Sequence, residues 1–399
     1  IGMAVSIHIS DGSTYPNSSL DPVGDSSDLD FFSRVPICNH GTKIAVYKDF
    51  ITIKAVARFC LRITKKFWGL SGGGFIFILF LYWLYGGYVA SILLLLFLLG
   101  LLYHNSDKLL YHNNYPANSR VCVPSPHMYN LPCEDEHILT EDNVKIHAVL
   151  IKQPGANVHT APTLLYLHGN AGNIGHRLPN CRQLYDILCC NILLLEYRGY
   201  GRSEGYPTEK GLYLDAQAGL DYLLSRKDIN SKKILVFGRS LGGAVAIDLC
   251  SRKKYASRLA GVILENTFTS IPEMSMSLLK FKIMQYIPEW FYKSQFFSIR
   301  KVPALNIPCL FISGSADMLI PPEMMKELYS KCGSSKKYLK DIEGGTHNET
   351  WQYPGYYGHL SKFLEEVMLL MEDTPTSVPY SHNPIFSNAI HKPKPVINL

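Results

Sequence analysis

The residues best suited to chemistry in this 399-residue chain are a serine, an aspartate and a histidine that lie far apart in sequence. Ser240 stands in Gly238-Arg239-Ser240-Leu241-Gly242, after the apolar run Ile234-Leu235-Val236-Phe237 and before the small-residue stretch Gly243-Ala244-Val245-Ala246. A strand turning this sharply into a helix strains the serine and leaves no room beside it, so the flanking glycines push the hydroxyl into the open. A serine hydroxyl is a poor nucleophile near neutral pH, and an imidazole must take its proton and later return it to the leaving group. His347, in Gly344-Gly345-Thr346-His347, is the candidate base. Asp317, in Ser313-Gly314-Ser315-Ala316-Asp317, is the candidate carboxylate that fixes the imidazole's tautomer and stabilises its cation. The oxyanion of an acyl-transfer intermediate needs two fixed N–H donors. Elbow geometry assigns one to Leu241, and the loop His168-Gly169-Asn170-Ala171-Gly172-Asn173 offers the other, first Asn170 and then Ala171. Each residue also has an ordinary reading. Asp317 suits an Asx turn before Pro321-Pro322, His168 suits a structural place in its own loop, and Glu265 at the end of another apolar run is a rival acid.

These residues gain meaning from the elements that must carry them. Short apolar runs at Thr163–Leu167, Asn191–Leu195, Ile234–Phe237, Gly261–Leu264 and Cys309–Ile312 alternate with amphipathic stretches such as Leu212–Leu224 and Pro322–Cys332. That alternation predicts a parallel sheet with helices on both faces, preceded by an antiparallel hairpin of His137–Thr140 and Val144–Ile151. A last strand is expected around Lys337-Tyr338-Leu339, completing a mostly parallel eight-stranded sheet. Ligands of such sheets bind beyond the carboxyl ends of the strands, where the glycine-rich loop, the elbow, Asp317 and His347 are all expected. Between Asn266 and Pro308 the strand pattern gives way to Met274, Met276, Phe281, Tyr286, Trp290, Phe291, Tyr292 and Phe296 with interspersed lysines, the expected cap, residues 267–308.

Residues 1–50, rich in Ser, Asp, Gly and Pro, are expected to be a disordered tail. A basic segment, residues 51–66, carries Lys54, Arg58, Arg62, Lys65 and Lys66, and residues 67–103 then contain no charge. The densest part, Phe75–Leu102, is expected to cross the hydrocarbon as one tilted helix, with Gly86-Gly87 as the place where a re-entrant turn would form instead. With the positive flank on the N-terminal side, the single-pass reading keeps the tail cytosolic and puts the rest in the lumen or outside, a type II signal-anchor arrangement. Residues 104–132 read as an irregular connector, residues 133–372 as the catalytic domain and residues 373–399 as a second disordered tail. A net charge of +6, with no aromatic-interleaved basic stripe, argues against a nucleic-acid partner. Ten cysteines without a C-x-x-C pair or a Cys/His cluster predict no metal site, and the chemistry at Ser240 requires no cofactor.

The stretches Leu167–Asn173, Glu196-Tyr197-Arg198-Gly199-Tyr200-Gly201-Arg202-Ser203-Glu204-Gly205, Gly238–Ala246 and Gly345–Asn348 together resemble a membrane-anchored α/β-hydrolase of the serine-hydrolase superfamily. The resemblance covers roughly Lys108–Met371 and the position of the anchor. It implies the α/β-hydrolase fold, a Ser240–Asp317–His347 triad and a hydrolase domain outside the cytosol, and it leaves the natural substrate open. The expected activity is hydrolysis of esters or thioesters of lipid-like or acylated substrates at a membrane. The rivals are a non-catalytic membrane interaction protein that keeps the fold and a cytosol-facing protein de-acylase. Asn348-Glu349-Thr350 is an N-glycosylation sequon, usable only if the domain is lumenal.

Overall fold

The protein is described from a computed structural model that covers Lys65, residues 68–279 and residues 286–372. The expected tails, most of the basic segment, and Phe281 and its neighbours in the cap fall outside the described residues.

The apolar run forms two helices, α1 (Trp68–Tyr85) and α2 (Gly87–His104), each of 18 residues, rather than the one expected. They part at Gly86, whose φ of 76° is left-handed backbone that a side chain resists, and its N–H closes the first helix by donating to the Tyr82 carbonyl at 3.1 Å. The break falls at Gly86-Gly87, the pair marked as the place for a re-entrant turn. A short helix α3 (Ser106–Leu110) follows directly. After α3 the connector is largely irregular and is bonded closely to the domain.

The eight strands are β1 (Cys133–Leu139), β2 (Lys145–Ile151), β3 (Thr163–Leu167), β4 (Asn191–Leu195), β5 (Ile234–Arg239), β6 (Gly261–Glu265), β7 (Cys309–Gly314) and β8 (Lys337–Ile342). Their order is β1-β2-β4-β3-β5-β6-β7-β8, antiparallel at β1–β2 and β2–β4 and parallel from β4 to β8: the mostly parallel sheet the strand pattern predicts, in the α/β-hydrolase fold the resemblance implies. The central strands are buried throughout because both faces are covered. On β3, Leu165 and Leu167 join one core with Leu212, Ala216 and Leu220 of helix α4 (Glu209–Ser225) and Ala244 and Val245 of helix α5 (Leu241–Ser251). Leu164 and Tyr166 face the other way, into a second core with Leu360, Phe363 and Val367 of helix α6 (Tyr356–Glu372).

Chain order reverses between β3 and β5. From β3 the sheet is extended in one direction by β4, and from β5 in the other by β6, β7 and β8. The carboxyl ends of β3 and β5, which carry the glycine-rich loop and the elbow, are therefore the switch point at which sheets of this kind bind ligands. Gly169 is so close to the elbow that a Cβ on it would lie 3.4 Å from the Ser240 Cβ.

Candidate active site

Ser240 occupies the turn between β5 and α5 with φ 54° and ψ −118°, a strained backbone for a residue with a side chain. The turn tolerates this because neighbouring positions have no Cβ. One built on Gly242 would lie 2.0 Å from the Leu167 carbonyl oxygen, and one on Gly238 2.4 Å from that of Gly242. Two long-range bonds hold the serine's backbone: its N–H donates to the Glu265 carbonyl at 2.9 Å, and its own carbonyl accepts from the Thr267 hydroxyl at 2.7 Å.

The structure brings Ser240, His347 and Asp317 together although they come from three different strand ends. Ser240 Oγ lies 3.0 Å from His347 Nε2, and His347 Nδ1 lies 2.7 Å from Asp317 Oδ2. Since a carboxylate only accepts, the proton sits on Nδ1 and leaves Nε2 free to take the one on Ser240. Asp317 also makes the Asx turn its sequence context suggests: its Oδ1 accepts from the N–H groups of Leu319 at 2.8 Å and Ile320 at 2.9 Å. One oxygen makes the turn and the other faces His347, so the Asx turn does not preclude the pairing with the histidine. Glu265, the rival acid, is committed elsewhere. It is fully buried, accepts from the Tyr356 hydroxyl at 2.6 Å and faces Arg239 Nε at 3.4 Å. His168 lies 3.2 Å from Glu196 and is packed against Tyr197, with no bond to Ser240.

The backbone N–H of Leu241 and that of Asn170 donate to no other described residue, so both can point at an oxyanion; that of Ala171 is equally unengaged. The Asn170 side chain is clamped. Its Nδ2 donates to the Leu110 carbonyl at 2.7 Å, and its Oδ1 accepts from the His112 N–H at 3.2 Å and the Tyr200 hydroxyl at 2.8 Å. Gly172 N–H reaches the Tyr115 carbonyl, and Asn113 Nδ2 reaches that of Gly199, both at 2.6 Å. The segment after α3 therefore grips the loop that holds Asn170. No local pattern announces this, since the partners lie about sixty residues apart.

A second set of residues escaped the sequence reading. Arg239, immediately before the serine, donates from Nη2 to the His347 carbonyl at 3.0 Å, and Asn266 Nδ2 reaches the same carbonyl at 3.2 Å. Burial works against the Arg239 charge, yet the Glu265 carboxylate beside it holds its pKa above the ordinary value. Burial, with Glu265 adding to it, pushes the Tyr356 phenol well above its usual range. The only hint in sequence was a cation between a glycine and the candidate nucleophile. Thr350, the third residue of the sequon, is buried and bonded to Asn266 and Thr346, whereas Asn348 is exposed. Among the described residues no cluster of His, Cys, Asp and Glu could hold a metal ion. A cleft of about 580 Å³ between Ser231, Arg258 and Lys336 lies at the opposite, amino ends of β5 and β6 and has neither a histidine nor a carboxylate in its lining.

Several known proteins are similar to this chain. The profile of the family described as serine aminopeptidase, S33 matches residues 159–299, which include Asn170 and Ser240 but stop short of Asp317 and His347. The chain is 39% identical over 282 residues to protein bem46 of Schizosaccharomyces pombe, covering 70% of this chain and 92% of that one. It is 38% identical to the α/β-hydrolase domain-containing protein WAV2 of Arabidopsis thaliana, covering 65% and 87%, and 35% identical to the uncharacterized membrane protein YNL320W of Saccharomyces cerevisiae, covering 66% and 90%. Among solved structures, the Pyrococcus furiosus esterase Pf2001 superposes with a TM-score of 0.51 at 25% identity, covering 62% of this chain and 95% of that one.

Proposed function

The chain belongs to the α/β-hydrolase superfamily, and from that premise we propose that it is a membrane-anchored serine hydrolase that cleaves ester or thioester bonds of lipid-like substrates. The observation that carries the reading is the unbroken line of hydrogen bonds from Ser240 Oγ through His347 to Asp317. In the first half-reaction His347 Nε2 takes the hydroxyl proton as Ser240 Oγ attacks the acyl carbon. The negative charge that forms on the carbonyl oxygen is met by the N–H groups of Leu241 and Asn170. Asp317 stabilises the imidazolium, which then protonates the departing alcohol or thiol and leaves an acyl-Ser240. In the second half-reaction His347 takes a proton from water, the hydroxide oxygen attacks the acyl carbon, and the proton returns to Ser240 as the acid leaves.

The substrate class rests on the surroundings. The cap contributes Met274, packed against the core, half-buried Tyr292, and exposed Met276 and Trp290, adaptable surface suited to an acyl chain. α2 is long and apolar enough to cross a membrane, and it is followed by the short helix α3 and the connector that clamps Asn170. The test is labelling by a fluorophosphonate probe with ester hydrolysis measured alongside. Wild type labels and turns over, while Ser240→Ala does neither. Labelling that persists in the mutant, or turnover of amides but not esters, refutes the proposal.

In the single-pass arrangement the domain is lumenal or extracellular and Asn348 carries a glycan. The break at Gly86 favours a second topology, in which α1 and α2 form a hairpin and return the domain to the cytosolic side as a de-acylase. A glycosidase shift that disappears in Asn348→Gln selects the first.

A further inference from the structure

The carboxyl end of α2 does not dangle free of the domain; it is bonded to the cap. Phe291 lies 5.8 Å from the Tyr103 ring in the last turn of α2. Lys293 Nζ donates to the His104 carbonyl at 3.0 Å, sits 5.1 Å over the Tyr103 ring and lies 4.0 Å from Asp107. A cation here satisfies one of the carbonyls that a helix leaves unpaired at its end, and it sits at the negative pole of the helix dipole. Ser294 Oγ completes the joint by donating to Asp107 Oδ1 at 3.2 Å and meeting the Tyr111 hydroxyl at 2.9 Å. Three cap residues within four positions, Phe291, Lys293 and Ser294, therefore fix the cap's position relative to the helix.

That joint sets the depth of the cap. Eighteen residues at about 1.5 Å each give a helix about 27 Å long, close to the thickness of a hydrocarbon core. With α2 in a bilayer, Tyr103 and His104 come to the edge of the hydrocarbon, and Phe291 and Lys293 come to the same level. Beside them, Trp290 is 73% exposed and Tyr286 is 76% exposed. Indole and phenol rings of this kind favour the boundary between hydrocarbon and water, where the ring is apolar and its polar edge stays wet. The loop that carries Asn170 is tied to the same end of α2, because Leu110 and His112, which clamp Asn170, follow His104 by only a few residues.

We propose that the cap segment Tyr286–Phe291 docks on the surface of the same bilayer that holds α2, so that Ser240 receives its substrate from the bilayer rather than from water. This rests on the membrane-anchored reading above and adds a lipid contact and an access route to it. The test uses the full chain in vesicles of lipids brominated on the upper acyl chain. One variant keeps only Trp290 (Trp68→Phe, Trp83→Phe, Trp351→Phe), and a second keeps only Trp83 of α1; fluorophosphonate labelling verifies that each is folded. The expected result is quenching of about a third or more of the emission from both. Quenching of Trp83 without Trp290 overturns the docking surface alone, and quenching of neither overturns the membrane reading together with it. In parallel, Trp290→Ser is expected to lower turnover of a long-chain monoacylglycerol in the bilayer about fivefold or more relative to a soluble acetate ester. An equal fall on both esters overturns the access route. Undiminished activity of Ser240→Ala would refute the catalytic assignment without touching the quenching result.

Discussion

Asn170→Ala tests whether the segment that follows α2 holds the proposed oxyanion loop in place. The substitution removes three hydrogen bonds, to the Leu110 carbonyl, the His112 N–H and the Tyr200 hydroxyl. Tyr200 is fully buried, so its hydroxyl is stranded, whereas the other two groups lie nearer the surface and can recruit water. One stranded hydroxyl and two weakened bonds amount to a loss of about 2–3 kcal/mol in stability. The catalytic effect is separate. Outright removal of an oxyanion donor costs roughly 10²–10³ in kcat, and a backbone donor that is still present but no longer clamped should lose part of that, about 10–100-fold, or about 1.4–2.8 kcal/mol. KM should stay within about twofold, because the lost interaction is made with the oxyanion and not with the ground-state carbonyl. The assay is steady-state hydrolysis of a soluble ester, together with the rate of fluorophosphonate labelling, which develops a similar charge and should fall in parallel. Tyr200→Phe, which removes one of the three bonds, should show a smaller loss of kcat. A kcat within about twofold of wild type in Asn170→Ala, or a rise in KM that accounts for the whole effect, refutes the reasoning.

Arg239→Met removes the bond to the His347 carbonyl and leaves Glu265 buried with its charge unmatched, which should cost about 3–5 kcal/mol and lower Tm by on the order of 10 °C. The double variant with Glu265→Gln should recover much of the Tm but not the kcat; recovery of both shows that Arg239 does not position the base. Gly242→Ala places a Cβ 2.0 Å from a backbone oxygen of β3, so the variant should yield no fluorophosphonate-reactive protein; normal labelling would contradict the elbow geometry. Two bonds from Arg226, with Lys152 adding to them, hold the Asp228 carboxyl well below the usual carboxylate range. Its folded pKa is therefore lower than its unfolded one, so this stability is present above about pH 4 and is lost as the pH falls further. The network is partly exposed, so Asp228→Asn should lower Tm modestly at neutral pH and flatten the acid limb of a Tm–pH curve; an unchanged acid limb refutes the assignment.

The central strands and the site at their ends were readable from sequence for the same reason. A strand buried on both faces must be apolar throughout, so each appears as a short continuous run, and the polar and glycine-rich residues that follow it mark a loop at the carboxyl edge. Asp317 shows how far this reaches. Its turn-forming character was a reason to discount it, yet a carboxylate has two oxygens, and the bonds that fix the turn also fix the oxygen that faces His347. What sequence did not carry are contacts between distant segments without periodicity. The grip of Leu110 and His112 on Asn170 uses backbone groups on one side, which any residue would supply. Arg239 was visible, but its role depends on Glu265 and the His347 carbonyl being brought to it by β6 and the loop after β8.

The apolar run shows the limit most clearly, and its physical consequence bears on topology. One straight helix from Trp68 to His104 would be about 55 Å long, nearly twice the hydrocarbon thickness, and would need a steep tilt to remain buried. Two helices of 18 residues each match that thickness separately, and Gly86 supplies the left-handed residue that separates them. Composition reports that the run is apolar and the Gly86-Gly87 pair marks where it can turn, while the backbone angle at Gly86 is what separates the two helices. A built Cβ at Gly86 meets nothing within 4 Å, so Gly86→Ala carries only the backbone penalty of about 1 kcal/mol and isolates that angle from any packing change. If the break directs the chain back to the side it came from, wild type lacks a glycan at Asn348 and Gly86→Ala gains one in a fraction of molecules. If the chain crosses once despite the break, both proteins carry the glycan equally, and the hairpin topology is refuted.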